Sequence, residues 1–400
     1  MRPKAEQSRS AADGARRRQC RPDTGRTDDW EDRVTATPDH AAAGRVLVVD
    51  PALGDQALTE LTALNDLGLV PTVNLRRVTD PALRSRLEAD WDTVDFDGFA
   101  EEELARQLED EGRGYQVLKC RAGIPLTRNV LERATAEGLR RRLVLVGRAA
   151  AGSDTFDHAA AQRLGVAIRT TPGANAAAVA ELTVSLILDA LRGIARRDRD
   201  LRQGSWSAAV EGLPVSSLDG ARVGLVGSGA IARRTAELVR PFGAEAWVFG
   251  SPRFTPERAA GWPGRRVETL PELLAGCDVV SVHVPASAET DGLIGAEELR
   301  LMRPGSVLIN TARASVVRED ALDRALRDPD SGPWRAAVDV FESEGADFTS
   351  VLADNPYCTL SPHVAGMTRA AMRTASHRLV EQFASFVNET GLVRAVPAES

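Results

Sequence analysis

Apolar residues in this chain come in short unbroken runs set between helix-like stretches. RVLVVD (45–50) precedes ALTELTALNDLG and then LVPTVNL, and the rhythm continues through FAEEELARQLED, YQVLKC, RLVLVGR and VAIRTT. Short continuous runs of this kind suit strands buried on both faces, and their alternation with helical patterns predicts β-α-β units and a parallel sheet. A second series follows: ARVGLVG, AWVFG, VVSVHV, SVLIN, AAVDVF and CTLSPH. Two series predict an α/β protein of two doubly wound parallel-sheet domains with a cleft between them, the usual place for a ligand. Between the series, residues 175–204 read as one long helix, apolar on nearly every side and then strongly charged, a buried connector that could also serve as an oligomer arm. The acidic stretch 87–113 reads as a helix with a solvated face and flanking loops.

Residues 1–44 mix charges and small residues with almost no apolar periodicity, so they are expected to form a disordered extension; an over-long annotated start is the alternative. With 400 residues, 43% of them hydrophobic, the chain can build two cores. A net charge of −7, from 57 acids against 50 bases, gives no footprint for nucleic acid. No apolar run approaches the ~20 residues that span a bilayer. Cys20, Cys120, Cys277 and Cys358 form no CxxC pair, which argues against a zinc site or a disulfide framework and fits a reducing cytoplasm. No metal is expected. Lysine occurs only at Lys4 and Lys119, so a catalytic lysine is not expected either.

ARVGLVGSGAIARRTAELVRPFGAEAWVFGSPR (221–253) holds a G-x-G-x-x-A turn, Gly227, Ser228, Gly229 and Ala232, between a buried strand and the start of a helix. That context is what a dinucleotide fingerprint requires: glycines for the tight turn and close approach, and helix N–H groups for the pyrophosphate. The acid expected about 20 residues later, on the ribose hydroxyl, is missing. Ser251 stands at the tip of the next strand and Arg253 follows. Serine does not repel a 2′-phosphate and a guanidinium can pair with one, so the pattern favours NADP(H) over NAD(H), with Glu257 as the residue that could still reach an unphosphorylated ribose.

Three further stretches end buried strands, where α/β sheets place their chemistry: LINTARASVV around Arg313, AAVDVFESE ending at Glu344, and TLSPHVAGMT around His363. With RAAAGSDTFD (148–157), TPGANAAAVAELT and GLVGSGAIA, these motifs over roughly residues 45–390 resemble the D-isomer-specific 2-hydroxyacid dehydrogenases, which include glyoxylate/hydroxypyruvate reductases and 3-phosphoglycerate dehydrogenases. The resemblance implies a Rossmann cofactor domain, a flavodoxin-like substrate domain, and an Arg-Glu-His site at Arg313, Glu344 and His363. The family's Glu stands five residues after the Asp of the DVF motif, which selects Glu344 over Glu342.

The chemistry agrees with the resemblance. Hydride arriving at a 2-keto acid puts negative charge on the carbonyl oxygen, and a protonated His363 can neutralise it, with Glu344 favouring the charged imidazole. Arg313 offers a fixed fork for a carboxylate or carbonyl. The resemblance further implies that the backbone of Ala151 and Gly152 holds the substrate carboxylate with Asn175 nearby. The glycine turn puts Gly227, Ser228, Gly229, Ala230 and Ile231 against the cofactor, beside Ser251 and Arg253, and the resemblance adds Pro285, Thr311 and Ala312, with Asp339 against the nicotinamide carboxamide. Ala150 and Ala314 stand where the family often has Gly. His283 and His158 read as positional, His40 and His377 as incidental.

The expected organisation is a substrate domain over 45–175, a cofactor domain over 176–364 and a helix within 365–395 returning to the substrate domain. The expected function is reduction of a small 2-keto acid, or oxidation of its D-2-hydroxy acid, by a cytoplasmic homodimer with no nucleic-acid or membrane partner. The alternatives are a formate dehydrogenase-like enzyme, in which Gln takes the place of Glu344, a dinucleotide-sensing regulator on the same fold, and a purely structural oligomer.

Overall fold

The computed structural model describes residues 44–109, 114–211, 215–328, 332–345 and 348–393. The N-terminal extension therefore lies outside the described residues, except that Gly44 already opens the first strand. Six strands, β1 Gly44–Val48, β2 Leu69–Asn74, β3 Asp92–Val94, β4 Val117–Cys120, β5 Leu145–Arg148 and β6 Ala167–Thr170, form one sheet in the order β3-β2-β1-β4-β5-β6. Without the three-residue edge strand β3 this is the flavodoxin order 2-1-3-4-5. Seven more, β7 Arg222–Val226, β8 Glu245–Phe249, β9 Arg265–Arg266, β10 Val279–Val282, β11 Ser306–Asn310, β12 Pro333–Val338 and β13 Cys358–Leu360, form the second sheet. Its order, β13-β12-β11-β10-β7-β8-β9, is the Rossmann order 3-2-1-4-5-6 with one added strand.

Each sheet separates two apolar clusters, and alternate residues of one strand serve opposite faces: Val46 and Val48 enter one cluster, Leu47 and Val49 the other. β10 does the same with Val279 and Val280. This is why the strands read as unbroken apolar runs, and why every named strand pair is parallel, with all strand ends of one sense at one edge.

Two expectations need correction. The stretch 175–204 is not one helix. Ala176–Arg192 ends at Gly193, whose φ of 64° is left-handed and whose added Cβ would lie 2.5 Å from the Arg335 guanidinium. A second helix, Ile194–Arg202, starts there, and the Asp189 carboxylate accepts its Ala195 N–H at 2.7 Å. Nor is 87–113 mainly helical: it holds the end of helix Pro81–Asp90, then β3 and helix Glu101–Leu108, with 110–113 outside the described residues.

In helix Ala176–Arg192, Val184, Leu186, Ile187 and Leu191 join the core of the second sheet. The last helix, Arg369–Thr390, does the reverse, with Leu379, Phe383 and Val387 packed beside Val46, Leu61 and Leu145 of the first lobe. Gly147 of β5 makes room, since a Cβ there would be 2.2 Å from the Phe383 ring. Beneath this helix the Lys119 ammonium, 2% exposed, donates to Glu60 at 2.8 Å and to the Asp50 carbonyl at 2.9 Å, while the Ser376 hydroxyl donates to the other Glu60 oxygen. One buried ion pair thus joins β4, helix Asp55–Asp66 and the returning helix.

Removing one partner of such a pair leaves a buried charge with no counter-ion. Glu60→Ala is expected to cost about 3–5 kcal/mol of unfolding free energy in urea titration, and the double change Glu60→Leu with Lys119→Met to recover most of it. A Glu60→Ala protein within about 1 kcal/mol of wild type would show that the pair is not the anchor.

Candidate active site

The turn after β7 is shaped by Gly227. Its φ is 119°, and an added Cβ would lie 2.6 Å from the His283 carbonyl, so no other residue fits. Gly229 caps helix Ala230–Val239, and the space where its Cβ would point is open for 4 Å. The first N–H groups of that helix, at Ala230, Ile231 and Ala232, have no partner within the helix and present partial positive charge to this space. The residues present therefore fit a pyrophosphate.

A cavity of about 330 Å³ continues from the turn, lined by Ser228, Gly229, Ala230 and Ser251 and by three guanidinium side chains, Arg233, Arg253 and Arg258. The sequence pattern marked Arg253 and gave no sign of the other two. Arg233 lies one turn into the helix and Arg258 on the short helix Pro256–Ala259, and only folding brings them to the tip of β8. No carboxylate lines the cavity among the described residues. Glu257 is exposed, and the Thr255 hydroxyl holds its carboxyl below the usual range.

Arg313, Glu344 and His363 hang from the ends of the neighbouring strands β11, β12 and β13. Asn310, at the end of β11, clamps the turn that carries Arg313: its side chain accepts the Ala312 N–H and donates to the Arg313 carbonyl, both at 3.0 Å. Nothing in the residue pattern marked Asn310. Arg313 donates from Nη1 to the Ala312 carbonyl at 2.7 Å and from Nε to Asp154 at 2.8 Å. Thr311 is buried and shares its hydroxyl with Thr183 at 2.9 Å. Pro285 is exposed at the end of the β10 loop.

His363 Nδ1 and a Glu344 oxygen are 2.8 Å apart, and the other Glu344 oxygen accepts the Phe341 N–H at 3.0 Å. This leaves Nε2 of His363 without a partner among the described residues. Asp339, which the resemblance puts against the nicotinamide carboxamide, directly follows β12. It is fully buried, and its carboxylate accepts the Ser361 hydroxyl and the N–H groups of Val364 and Ala365, at 3.1 and 2.9 Å. Through these bonds it shapes the loop around His363.

On the other lobe, Ala151 and Gly152 follow β5, and their N–H groups have no partner among the described residues. Arg148, 2% exposed, supports their loop by donating to the carbonyls of Gly152 and Arg121, at 2.9 and 3.2 Å, and to the Thr155 hydroxyl at 3.1 Å. An added Cβ on Gly152 would lie 2.2 Å from Arg313 Nη2, so glycine is what lets the two lobes meet here. Asn175 sits at the crossing between lobes, its amide against Gly366 and its Oδ1 buried with no hydrogen-bond partner among the described residues.

Comparison with known proteins bears on this arrangement. Residues 184–365 match the description "D-isomer specific 2-hydroxyacid dehydrogenase, NAD binding domain". The chain is 36% identical over 290 residues to the (S)-sulfolactate dehydrogenase of Chromohalobacter salexigens, which covers 72% of this chain and 89% of that protein. This chain belongs to the D-isomer specific 2-hydroxyacid dehydrogenase family. It is also 32% identical over 293 residues to the D-3-phosphoglycerate dehydrogenase of Methanocaldococcus jannaschii, where the match takes 71% of this chain but only about half, 51%, of the relative. Among solved structures, the phosphoglycerate oxidoreductase of Vibrio cholerae superposes with a TM-score of 0.64 at 25% identity, covering 87% of this chain and all, 100%, of that one. The dehydrogenase family supplies a nicotinamide-binding domain, and the glycine turn lies inside the matched residues.

His158 is bonded to Ser153 at 2.8 Å, and His283 to the buried Ser281 hydroxyl at 3.0 Å. Burial pushes the His283 imidazole down from 6.5 to about 3. Between those values an unfolded chain takes up a proton that the folded chain refuses, so stability falls as pH falls through this window. From pH 7 to pH 5 the group accounts for about 2 kcal/mol of that loss. His283→Gln should flatten the fall in unfolding free energy between these pH values by this amount; an unchanged slope in paired urea titrations would refute the assignment.

Proposed function

We propose that the protein transfers hydride between NADP(H) and a small 2-keto acid, in the manner of a glyoxylate/hydroxypyruvate reductase. The observation that carries this reading is the 2.8 Å pair of His363 and Glu344, beside the strand that presents Arg313. The substrate carboxylate would lie between Arg313 and the free N–H groups of Ala151 and Gly152, which fixes the face of its carbonyl. Bound reduced nicotinamide supplies the hydride. As charge grows on the carbonyl oxygen, Nε2 of His363 gives up its proton, while Glu344 holds Nδ1–H and the charge of the ring. Closure of the cleft excludes water from that transfer. An intact carboxylate at position 344 also favours a hydroxy-acid substrate over formate, whose oxidation needs no proton acceptor.

Preference for the phosphorylated cofactor is supported by three arginines and no acid around the cavity at Ser251. The apolar side chains exposed on helices Ile194–Arg202 and Trp206–Val210, above all Trp206 at 72%, support a homodimer. Among the described residues, no helix is long and apolar enough to cross a membrane. Cys120, Cys277 and Cys358 are free and buried, in keeping with a cytoplasmic protein.

Loss of reduced-nicotinamide absorbance with glyoxylate, hydroxypyruvate and larger 2-keto acids tests the reading. Turnover is expected with NADPH preferred at least about tenfold in kcat/KM, and Arg253→Ala with Arg258→Ala should erase that preference. Preference for NADH in the wild type would remove the phosphate assignment. His363→Gln should lower kcat by about 10²–10⁴ with NADPH binding kept. Undiminished kcat in that variant would remove His363 as the proton donor.

A further inference from the structure

Arg313 needs its charge aimed as well as present. Two of its three nitrogens are engaged: Nη1 with the Ala312 carbonyl inside its own turn, and Nε with the Asp154 carboxylate at 2.8 Å. Asp154 belongs to the other lobe, on the loop that carries Ala151 and Gly152. The remaining nitrogen, Nη2, comes so near Gly152 that a Cβ there would stand 2.2 Å away. We infer that Asp154 is a positioning residue that turns Nη2 of Arg313 toward the N–H groups of Ala151 and Gly152, so that one carboxylate of the ligand is held by both lobes at once. The inference rests on the reading above that an acid's carboxylate binds at this loop.

The charges around Asp154 are consistent with that role. Arg148 lies under the same loop and, among the described residues, hydrogen-bonds only neutral acceptors, so two guanidinium groups flank one carboxylate. The net charge left at the loop is positive, and a ligand carboxylate still enters a favourable field. The Arg313 and Asp154 side chains are 33% and 50% exposed. A pair so open to water adds little to folding stability, so removing it should alter aim without unfolding the chain.

Asp154→Ala and Asp154→Asn in the full chain test this. For Asp154→Ala, KM for the keto acid should rise at least about tenfold, with kcat less affected, NADPH affinity unchanged and the melting temperature within about 2 °C of wild type. Asparagine keeps an oxygen that can accept from Nε, so Asp154→Asn should recover most of the loss. Oxamate binding in the presence of NADPH, followed by calorimetry, reads the same site without requiring turnover. Its Kd should weaken about tenfold in Asp154→Ala, and not further when Asp154→Ala is added to Arg313→Gln. If no keto acid is turned over yet oxamate behaves in this way, the proposed reaction fails and the role of Asp154 stands. An oxamate Kd unchanged in Asp154→Ala, an equal loss in the Arg313→Gln background, or no oxamate binding by the wild type would each overturn it.

Discussion

The buried carboxylate of Asp339 fixes the backbone on which His363, the proposed proton donor, stands. Its two oxygens draw in the Ser361 hydroxyl and the N–H groups of Val364 and Ala365, closing the segment between them into a tight loop. His363 lies inside that loop with φ at 51°, the only non-glycine among the described residues with a positive φ. The left-handed region costs a residue with a Cβ of order 1 kcal/mol or more, and charge-assisted hydrogen bonds to a buried acid can offset it. Five residues beyond Asp339, Glu344 grips the ring. One acid therefore holds the backbone of His363 and the other holds its imidazole, and both follow the end of β12.

The placement of that loop matters as much as its shape. The chain passes from one lobe to the other at residues 171–175 and again after β13, and His363 and Asn175 stand in those two crossings. The second crossing is anchored beyond the site by helix Arg369–Thr390, through Phe383 against Gly147 and Ser376 on the Glu60–Lys119 pair. A change in cleft opening must be absorbed between that anchor and β13, so it must move the His363 loop relative to one lobe or the other. The proposed proton donor and the crossing between lobes thus share the same few residues.

Much of the fold was legible because parallel strands buried on both faces leave unbroken apolar runs. The edge strands β3 and β9, of three and two residues, left no such trace; an edge strand so short is defined by its neighbour's hydrogen bonds rather than by its own composition. The break at Gly193 was hidden because apolar residues continue to Ile194, and one glycine is weak evidence against a helix until Arg335 and Asp189 are seen to fix the bend. At the site, residues in ordered motifs at strand ends could be found. Asn310, Arg233, Arg258 and Asp154 could not, because each acts through a partner distant in sequence or through a loop whose direction the pattern does not encode. Asp339 could be found as a position, but not its hydrogen bonds to the His363 loop, because a motif marks where a carboxylate stands while packing sets where it points.

The distribution of cations connects these details. The chain is acidic as a whole, yet it gathers guanidinium groups at two places where anions would enter: Arg233, Arg253 and Arg258 beside the glycine turn, and Arg148 with Arg313 at the loop of Gly152. The single lysine among the described residues is buried and paired with Glu60. The two kinds of cation differ in what they can do. Arginine in general stays charged throughout the working pH range and offers a planar fork, so a site built from it holds an anion in one orientation at any pH at which the protein is folded. Lysine is a compact ammonium, and here it is engaged in a buried pair with Glu60, away from the candidate site. Under the proposed function, anion binding and proton transfer would fall to different residue types. In the proposed reaction the arginines would fix where the acid lies, and the hydrogen-bonded pair of His363 and Glu344 would be left to move the proton.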